Sequence, residues 1–350
     1  MIRSVLLDKI TMVLPAVEKK SNEPLFSAIR ISGRQLRATN GRLFIRVDLD
    51  EDSGVDVCVP GHLFHQVVKS AACKVVELTQ EGSNLIVKGD ATHVEVLAHK
   101  TDGLVDMDDI FLEPSESDWD DIPSGFPEAL SLCRSSCSDD DALHVLTGVY
   151  VNGSDVWSCD RFRISRFRME DSAQCKMKAI IPIGVISEID KHDSALEAVC
   201  MVGDSIAFKL YDGKMIIAGG LILGVYPDLS SKLVSVKDKS EVEFPGDFSG
   251  ALKLHNVMLK DVPESDRRTA VIFTDVGVEL YSESSGTGKA IRKVFFDVPK
   301  EMNGVSFHCN PTHFAKVVKH HKTMVYSPND HVMVFIGDKF THQIKTTIVE

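Results

Sequence analysis

One pattern occurs three times along the chain and limits the folds it can adopt more than any other feature of the sequence. In each copy a short β-like run ends at a proline, a helix-like segment follows, and strand-like runs separated by turns come next. The prolines that mark the copies are Pro60, Pro182 and Pro311, which lie 122 and 129 residues apart. A repeat of this length predicts three similar domains in tandem rather than a solenoid of short units.

A second helix-like segment keeps the same period. Apolar residues recur at helical spacing from Leu6 to Val17 and again in 126–137 and 247–259, although Pro15 must end or kink the first helix. Strand-like runs follow each of these segments. Because antiparallel hairpins dominate and the two helices of each repeat fall on one side, we predict an α+β fold.

Two polar segments suggest where the domains meet. Residues 102–121 contain nine acidic residues and no lysine or arginine, and residues 230–249 combine serines, mixed charge and Pro245. We therefore expect three domains, at 1–121, 122–241 and 242–350.

The composition is that of a globular protein, with 43% hydrophobic and 26% charged residues. The formal net charge of −12 argues against bulk adhesion to nucleic acid or membrane, but screening within about 10 Å leaves room for a local basic face. The N-terminus lacks a signal-peptide pattern, and the longest apolar run, 215–225, is too short to span a bilayer. The eight cysteines form no CxxC motif, which favours reduced, mostly buried thiols in a cytoplasmic protein.

Three stretches resemble segments of one known family: VCVPGHLFHQVVKS (57–70), LTGVYVNGSDVWSCDRFRIS (146–165) and GGLILGVYPDLSSKL (219–233). Together with the threefold repeat, which covers essentially the whole chain, they resemble the bacterial sliding clamp, the β subunit of the replicative DNA polymerase. The resemblance implies a head-to-tail homodimer whose six domains close into a DNA-clamp ring. Each domain would then have antiparallel sheets outside and two helices inside, lining the hole. It also implies a function: encircling duplex DNA and tethering the polymerase.

The chain departs from the family pattern in three places. Arg161 and Phe162 stand where the family has Gly-His, residues 229–231 (LSS) replace arginines, and the C-terminal HQIKTTIVE lacks the family's methionine-proline-methionine-arginine ending. These differences are typical of a remote or phage-encoded member, and they leave the partner peptide open.

A ring around DNA predicts that the inner helices are more basic than the chain as a whole. Segments 62–74, 251–260 and 311–322 contain lysines and histidines but no acid, whereas 126–137 is neutral and 183–192 is acidic. Acid-free faces at repeat-related positions suit sequence-independent phosphate contact, although a solvated surface explains any one helix alone. The predicted DNA-facing residues are His62, His65, Lys69, Lys74, Arg134, Lys253, Lys260, Lys316, Lys319, His320 and Lys322.

The first of these helices is predicted to be amphipathic. Its polar side chains oppose an apolar face formed by Leu63, Phe64, Val67 and Val68, which we expect to pack on the sheet.

In the resembled family, partner proteins insert a short apolar peptide into a pocket between the second and third domains. By position, the matching residues here are Leu146, Cys159, Arg161, Phe162, Arg163, Ile164, Pro227, Ile348 and Val349. An apolar pocket with an arginine at its rim suits peptide anchors. The alternative, that Leu146, Ile164 and Val349 are ordinary core residues, is equally open for each of them.

Four arginines and two phenylalanines are concentrated in SCDRFRISRFRM (158–169), which at first suggests a nucleic-acid contact. Its counterpart in the first repeat, ATNGRLFIRV (38–47), is also a turn that feeds a strand. Because that position belongs to the sheet side of each repeat, we interpret the strip as a partner-binding turn instead. The resemblance also places the dimer contact, with Met258 and Leu259 meeting Leu104 and Met107 of a second copy.

Signals for catalysis are weak. SSGTGKA (284–290) is close to a phosphate-binding loop, but Glu283 and Ala290 replace the required glycine and Ser/Thr, which favours a hairpin loop. Adjacent histidines in KHHK (319–322) point in different directions on a helix, which argues against a metal site. We therefore predict no enzymatic activity, cofactor or metal.

Three hypotheses follow. The first is a DNA-encircling clamp, with duplex DNA, a polymerase, a clamp loader and a second copy of the chain as partners. The second is a clamp-like scaffold that binds replication or repair proteins without closing on DNA. A third hypothesis, a hydrolase on an unrelated α+β fold, is the least supported, because the sequence contains no nucleophile motif. Catalytic triads are assembled in space, so the missing motif is weak evidence by itself.

Overall fold

The computed structural model of the protein describes residues 1–99, 114–170, 176–236 and 239–349. The fold is α+β with antiparallel sheets, as predicted. It divides into two compact units: unit 1 is Met1–Pro127 with Ala179–Leu223, and unit 2 is Glu128–Lys178 with Gly224–Glu350. This division by compactness does not test the expected boundaries after residues 121 and 241, so the three-domain division stays a prediction.

The helices are short and begin where the sequence predicts. They are α1 (Arg3–Val13), α2 (Gly61–Ser70), α3 (Phe126–Arg134), α4 (Ile183–Ile189), α5 (Phe248–Met258) and α6 (Pro311–Val318). Pro15 lies in a 3₁₀ turn that directly follows α1, as its missing N–H requires.

The strands of unit 1 form two antiparallel sheets. They are β1 (Ala28–Ser32), β2 (Gln35–Thr39), β3 (Leu43–Asp48), β4 (Asp56–Pro60), β5 (Glu77–Glu81), β6 (Asn84–Gly89), β7 (Thr92–Val96), β8 (Asp120–Asp121), β13 (Leu196–Val202), β14 (Ser205–Leu210) and β15 (Met215–Gly220). The larger sheet has the order β4-β1-β2-β3-β15-β14-β13-β8, and the smaller sheet has the order β5-β6-β7.

Unit 2 repeats this arrangement. Its strands are β9 (Gly148–Asn152), β10 (Asp155–Cys159), β11 (Arg163–Arg168), β16 (Glu241–Glu243), β17 (Thr269–Thr274), β18 (Gly277–Ser284), β19 (Gly288–Phe295), β20 (Ser306–Cys309), β21 (Thr323–Ser327), β22 (Val332–Ile336) and β23 (Phe340–Lys345), while β12 (Lys178–Pro182) crosses the division. The order β9-β10-β11-β23-β22-β21-β16 matches β1-β2-β3-β15-β14-β13-β8 strand for strand, and β19-β18-β17-β20 forms a second sheet. The matching orders support the internal repeat predicted from the sequence.

The three marker prolines lie where a strand gives way to a helix. Pro60 and Pro182 end β4 and β12, and Pro311 is the first residue of α6. The Asn310 side chain caps α6 by accepting hydrogen bonds from the N–H groups of Thr312 and His313. At the start of α2, a Cβ on Gly61 would lie 2.9 Å from Ile29 Cγ1, so glycine lets the helix begin close to the sheet.

Both units have a buried core, and that of unit 2 contains a cluster of aromatic rings. In unit 1, Leu6, Ile10 and Val13 of α1 are buried where the helix packs on β2, β3 and α2. In unit 2 the core is aromatic, with the Phe244 ring 4.3 Å from Phe248 and 5.3 Å from Phe314 between centroids. Aromatic pairs at such distances add stability beyond the area they bury.

Two smaller predictions are confirmed. All described cysteines are free, and all of them except the half-buried Cys73 are buried; Cys175 lies outside the described residues. Residues 285–287 form the hairpin loop between β18 and β19, directly after the paired Ser284 and before the paired Gly288. Within the described residues, no helix is long and apolar enough to cross a membrane.

Candidate DNA-binding and partner-binding surfaces

Three of the four arginines in the 158–169 strip are paired with carboxylates of the chain itself. Arg161 meets Asp140 at 2.6 Å, Arg163 meets Asp160 at 2.6 Å, and Arg166 meets Asp155 at 2.7 Å. The Arg166 guanidinium also lies over the Trp157 ring, 5.0 Å from its centroid. Side chains used in this way contribute little charge to an external phosphate backbone, which supports reading the strip as something other than a DNA contact.

The turn at 160–163 is organised by one carboxylate. Asp160 Oδ1 accepts hydrogen bonds from the N–H groups of Phe162 and Arg163, at 2.7 and 2.6 Å. Asp160 Oδ2 accepts two more from the Arg163 guanidinium, at 2.8 and 2.6 Å. The Arg163 side chain is only 6% exposed, so this is a buried ion pair in which one carboxylate oxygen accepts from two guanidinium nitrogens.

A cavity of about 440 Å³ opens beside this turn, entirely within unit 2. Its lining combines the turn with a loop after α3, a loop after α5 and the first turn of α6. The lining residues are Ser138, Asp139, Asp140, Leu143, Asp160, Arg161, Phe162, Arg163, Glu264, Ser265 and His313. Arg161, Phe162 and Arg163 are the predicted pocket residues among them.

The other predicted pocket residues do not line this cavity. Cys159 is buried, and its N–H donates to the hydroxyl oxygen of Tyr226 at 3.0 Å. Burial raises the pKa of both Cys159 and Tyr226, so both groups remain protonated at neutral pH. Leu146, Ile164 and Val349 are half-buried, whereas Pro227 and Ile348 are exposed.

Tyr226 is a residue that sequence reasoning missed. Its ring stacks on Tyr150 with centroids 4.9 Å apart, and it anchors the segment that carries Pro227. Asp139, Glu264 and His313 were missed as well, because they come from segments far apart in the chain. The acidic run 139–141 was the one local signal in the sequence.

Buried histidines surround the turn. The His342 Nδ1 lies 2.7 Å from the Ser165 hydroxyl, and its Nε2 has no hydrogen-bond partner among the described residues. Burial, with a smaller effect from the Arg163 charge, lowers the pKa of His342 to about 3 and that of His313 to about 2. Both imidazoles are therefore neutral at physiological pH.

The predicted DNA-facing lysines are accessible. Lys69, Lys253 and Lys316 are exposed on α2, α5 and α6, and Lys74, Lys260, Lys319, His320 and Lys322 are exposed just beyond the ends of these helices. His62, His65 and Arg134 are half-buried. Burial and the neighbouring Lys69 charge lower the pKa of His65, so its ring is a neutral group on this face.

One detail of the α2 prediction is wrong. Phe64 and Val68 are buried against the sheet, but Leu63 is 46% exposed. Residues four apart share one helix face, whereas a residue one position earlier is turned away by about 100°. Leu63 therefore lies beside the polar face rather than on the apolar one.

The acidic segment 183–192 is less of an exception than its sequence suggests. Glu188 is only 4% exposed and pairs with Lys191 at 2.5 Å and with His192 at 3.7 Å. Burial alone would raise the pKa of Glu188, but these two partners outweigh it and lower the pKa. One of the two acids of this segment is thus directed into unit 1 and neutralised there.

The residues assigned to a dimer contact are only partly described. Leu104 and Met107 lie outside the described residues. Met258 is half-buried at the end of α5, and Leu259 is 2% exposed, so its side chain belongs to the core of unit 2 and cannot itself meet another subunit. Within the described part of the chain, no group of three or more His, Cys, Asp or Glu is arranged to hold a metal ion.

Comparison with known proteins identifies the fold. No protein-family model and no curated protein sequence matches the chain. Solved structures match it along its whole length: the β subunit of DNA polymerase from Streptococcus pyogenes has a TM-score of 0.81 at 14% identity, covering 100% of this chain and 99% of that chain. The DNA polymerase III β subunit of Thermotoga maritima has a TM-score of 0.80 at 16% identity, covering 100% and 99%.

A third structure adds a bound ligand. The sliding clamp of Bartonella birtlesii, solved bound to griselimycin, has a TM-score of 0.83 at 15% identity and covers 100% of this chain and 98% of that chain. The chain therefore has the fold of the DNA polymerase III β subunits, as the resemblance in the sequence predicted.

Proposed function

We propose that this protein is a DNA sliding clamp, a processivity factor that encircles duplex DNA and tethers a polymerase without catalysing a reaction itself. The observation that carries the proposal is the fold, which is shared over the whole chain with the sliding clamp of B. birtlesii and the polymerase β subunits. The acid-free helices of a chain with a net charge of −12 add support.

The DNA contact proposed here is weak and depends on salt. Exposed lysines on α2, α5 and α6 attract phosphates without reading sequence, and few such contacts allow the protein to slide. Removing the charge of Lys69, Lys253 and Lys316 together should weaken DNA binding and make it less sensitive to salt. The slope of log K against log salt should become shallower by roughly 0.9 for each phosphate that is no longer neutralised.

Ring closure through a second copy is supported by the strand order. In unit 1, β3 pairs with β15, and in unit 2 the equivalent strands β11 and β23 pair. The next equivalents are β19 and β7, and each is an edge strand in the part of the chain that the structure describes. Exposed edges of this kind invite strand pairing, so we propose that β19 of one copy pairs with β7 of the other.

The repeat also predicts the register of that pairing. Ile45 faces Ile217 in unit 1, and Ser165 faces His342 in unit 2. Transferring this register places Arg292 opposite Val94 of the second copy. The interface then combines Ile291 and Phe295 of β19, which are 55% and 71% exposed, with the 71% exposed Leu97 that follows β7.

A cysteine pair tests this register. Arg292→Cys with Val94→Cys should form a covalent dimer on mild oxidation, because directly opposed side chains lie on the same face at about 4.5–5.5 Å between Cβ atoms. The control is Arg292→Cys with His93→Cys, whose second thiol points to the opposite face. Equal cross-linking by both pairs, or by neither, would contradict the register.

Topological binding is tested by retention on DNA. After loading, the homodimer should stay on nicked circular DNA and be lost when the circle is linearised. Equal retention on both forms of DNA would refute topological binding and favour a scaffold that binds replication proteins without encircling DNA. The solution mass, measured first, establishes whether the chain is a dimer.

We also propose that partner proteins and the clamp loader dock short apolar peptides around the turn at 160–163. The support is the position of this turn beside the cavity and the half-buried Phe162 and Ile164.

Griselimycin, the ligand of the B. birtlesii clamp, is a practical probe. Phe162→Ala with Ile164→Ala should abolish its binding, while Arg42→Ala at the counterpart turn should not; full binding by the folded double variant refutes the assignment.

A further inference from the structure

The cavity beside the 160–163 turn has an excess of negative charge. Four carboxylates and two guanidiniums line it. Asp140 and Asp160 are taken up by Arg161 and Arg163. Asp139 and Glu264, which come from different loops, have no ion-pair partner among the described residues and are exposed at its edge. These two carboxylates are therefore available to a cation that enters the cavity.

A second observation indicates that a ligand completes this site. The His313 side chain lines the cavity and is only 6% exposed, yet its Nδ1 has no hydrogen-bond partner among the described residues. A buried polar atom without a partner costs about 1–3 kcal/mol. Native proteins rarely leave such an atom unpaired, which marks this part of the cavity lining as incomplete.

The chemistry of the lining selects an organic cation over a metal ion. The carboxylates and histidines of the described residues form no cluster able to hold a metal. The cavity also presents apolar surface from Leu143 and Phe162. The Arg268 guanidinium, 5.9 Å from the centroid of the Phe162 ring, is a positive charge that the two unpaired carboxylates must outweigh. Its volume of about 440 Å³ falls within the roughly 300–1,000 Å³ of sites that bind small organic groups.

We infer that this cavity selects partner peptides that carry a lysine or arginine next to an apolar residue. The cationic side chain pairs with Asp139 and Glu264, the apolar side chain rests on Phe162, and a peptide polar group reaches His313. This specificity rests on the proposed partner docking at the same turn.

Labelled hexapeptides measure this specificity by fluorescence anisotropy. The probes are Ala-Lys-Ala-Leu-Phe-Ala and two versions in which Gln or Glu replaces the Lys. At about 50 mM salt the Lys peptide should bind about tenfold more tightly than the Gln peptide, with the Glu peptide weakest, and about 500 mM salt should erase most of the difference.

A pair of variants with the same change in charge locates the effect. Asp139→Asn with Glu264→Gln should reduce the preference for Lys over Gln to less than about twofold, because both unpaired carboxylates are gone. The control is Asp141→Asn with Asp266→Asn, which neutralises exposed neighbours on the same two loops that do not line the cavity. The control should keep the full preference.

The possible outcomes separate this inference from the proposed function. Equal binding of the three peptides, or an unchanged preference in the Asp139/Glu264 variant, overturns the charge specificity while leaving apolar docking intact. No binding by any peptide or by griselimycin overturns both the specificity and the docking site. Neither result bears on encirclement of DNA, which the circular-DNA retention experiment decides independently.

Discussion

The turns at 40–43 and 160–163 occupy equivalent places in the two units and are built alike at the backbone. Each begins with a side-chain oxygen, from Asn40 or Asp160, that accepts hydrogen bonds from the N–H groups two and three residues later. Each closes with a backbone hydrogen bond, of 3.2 Å in the first turn and 3.1 Å in the second. Asparagine and aspartate share this turn chemistry, so the common part is structural.

The two turns differ in their side chains, because the second carboxylate oxygen of Asp160 binds the Arg163 guanidinium. Where the first turn has the buried Leu43, the second has the buried Arg163, whose Nε and Nη2 groups both donate to Asp160 Oδ2. On the following strands, the apolar pair Ile45 and Ile217 corresponds to the polar pair of Ser165 and His342. A buried polar network lowers the free energy of unfolding unless all of its groups are hydrogen-bonded. We therefore expect unit 2 to be less stable at the place where we propose that it binds partners.

The largest effect should come from converting the second turn into the first. Asp160→Asn keeps the acceptor for the backbone but removes the charge that faces Arg163, so we expect a loss of about 3–5 kcal/mol in unfolding free energy. The reciprocal Asn40→Asp should change stability by less than about 0.5 kcal/mol, because Asn40 is only half-buried beside the exposed Gly41 and Arg42. Chemical denaturation followed by Trp157 in unit 2 and Trp119 in unit 1 measures each; a small loss for Asp160→Asn would contradict the ion-pair interpretation.

A double substitution should recover most of that loss. Asp160→Asn with Arg163→Leu gives the second turn the Asn and Leu of the first, and an apolar residue no longer needs a counter-charge. We expect at least about 2 kcal/mol to return relative to Asp160→Asn alone. If the double variant is as unstable as the single one, the loss of stability comes from weaker hydrogen bonds between the side chain at 160 and the backbone, and not from the buried charge.

Acid should destabilise unit 2 more than unit 1, by less than the substitutions at Asp160 do. In the unfolded chain, histidines titrate near pH 6.5, while burial holds the pKa of His342 near 3 and that of His313 near 2. Their contribution is therefore fully present above pH 6.5 and is lost as the pH falls, because the unfolded chain takes up protons that the folded one cannot. Between pH 6.5 and 5.5 each histidine should cost about 1 kcal/mol.

Hydrogen exchange at these two pH values provides the measurement. After correction for intrinsic exchange rates, amides of β11 and β23 should lose protection while those of β3 and β15 change little. His342→Gln, which can still pair with Ser165, should remove the roughly 1 kcal/mol that His342 contributes to this effect. Equal acid sensitivity in the two pairs of strands would show that these histidines do not control it.

The contrast between the turns also shows which features of the fold can be predicted from the sequence. The repeat, the hairpins and the proline-marked helices were predictable because each depends on local chemistry, such as Pro60, Pro311 and the Asp212–Gly213 turn between β14 and β15. The whole-chain fold followed from their order. Compact units made of two separate stretches of chain were not predictable, because only long-range pairing such as β3 with β15 creates them.

The candidate site was predictable only in part, for the same reason. Arg161, Phe162 and Arg163 stand together in the sequence, and a family resemblance was enough to single them out. Glu264 and His313 join them only through the packing of unit 2, and no sequence spacing indicates it. Leu259 had the apolar character of a contact residue, but character alone does not distinguish a core position from a surface one.

The smallest expected effects concern the second residue of each turn. Gly41 has φ of +79°, and a Cβ there would lie 3.0 Å from the Phe26 ring, so Gly41→Ala should cost about 1 kcal/mol through strain. Arg161 does not have a positive φ, and its ion pair with Asp140 is 62% exposed on the arginine side. Arg161→Ala should therefore change stability by less than about 0.5 kcal/mol, since exposed ion pairs contribute little.

If Arg161→Ala is neutral for folding yet changes peptide binding, Arg161 acts at the cavity and not in holding the turn. Thermal denaturation and peptide anisotropy on the same preparations distinguish the two roles. A loss of stability as large as that of Gly41→Ala would instead mean that Arg161 holds the turn in shape. The departure from the family's Gly-His would then be structural, and the partner specificity would depend on the carboxylates alone.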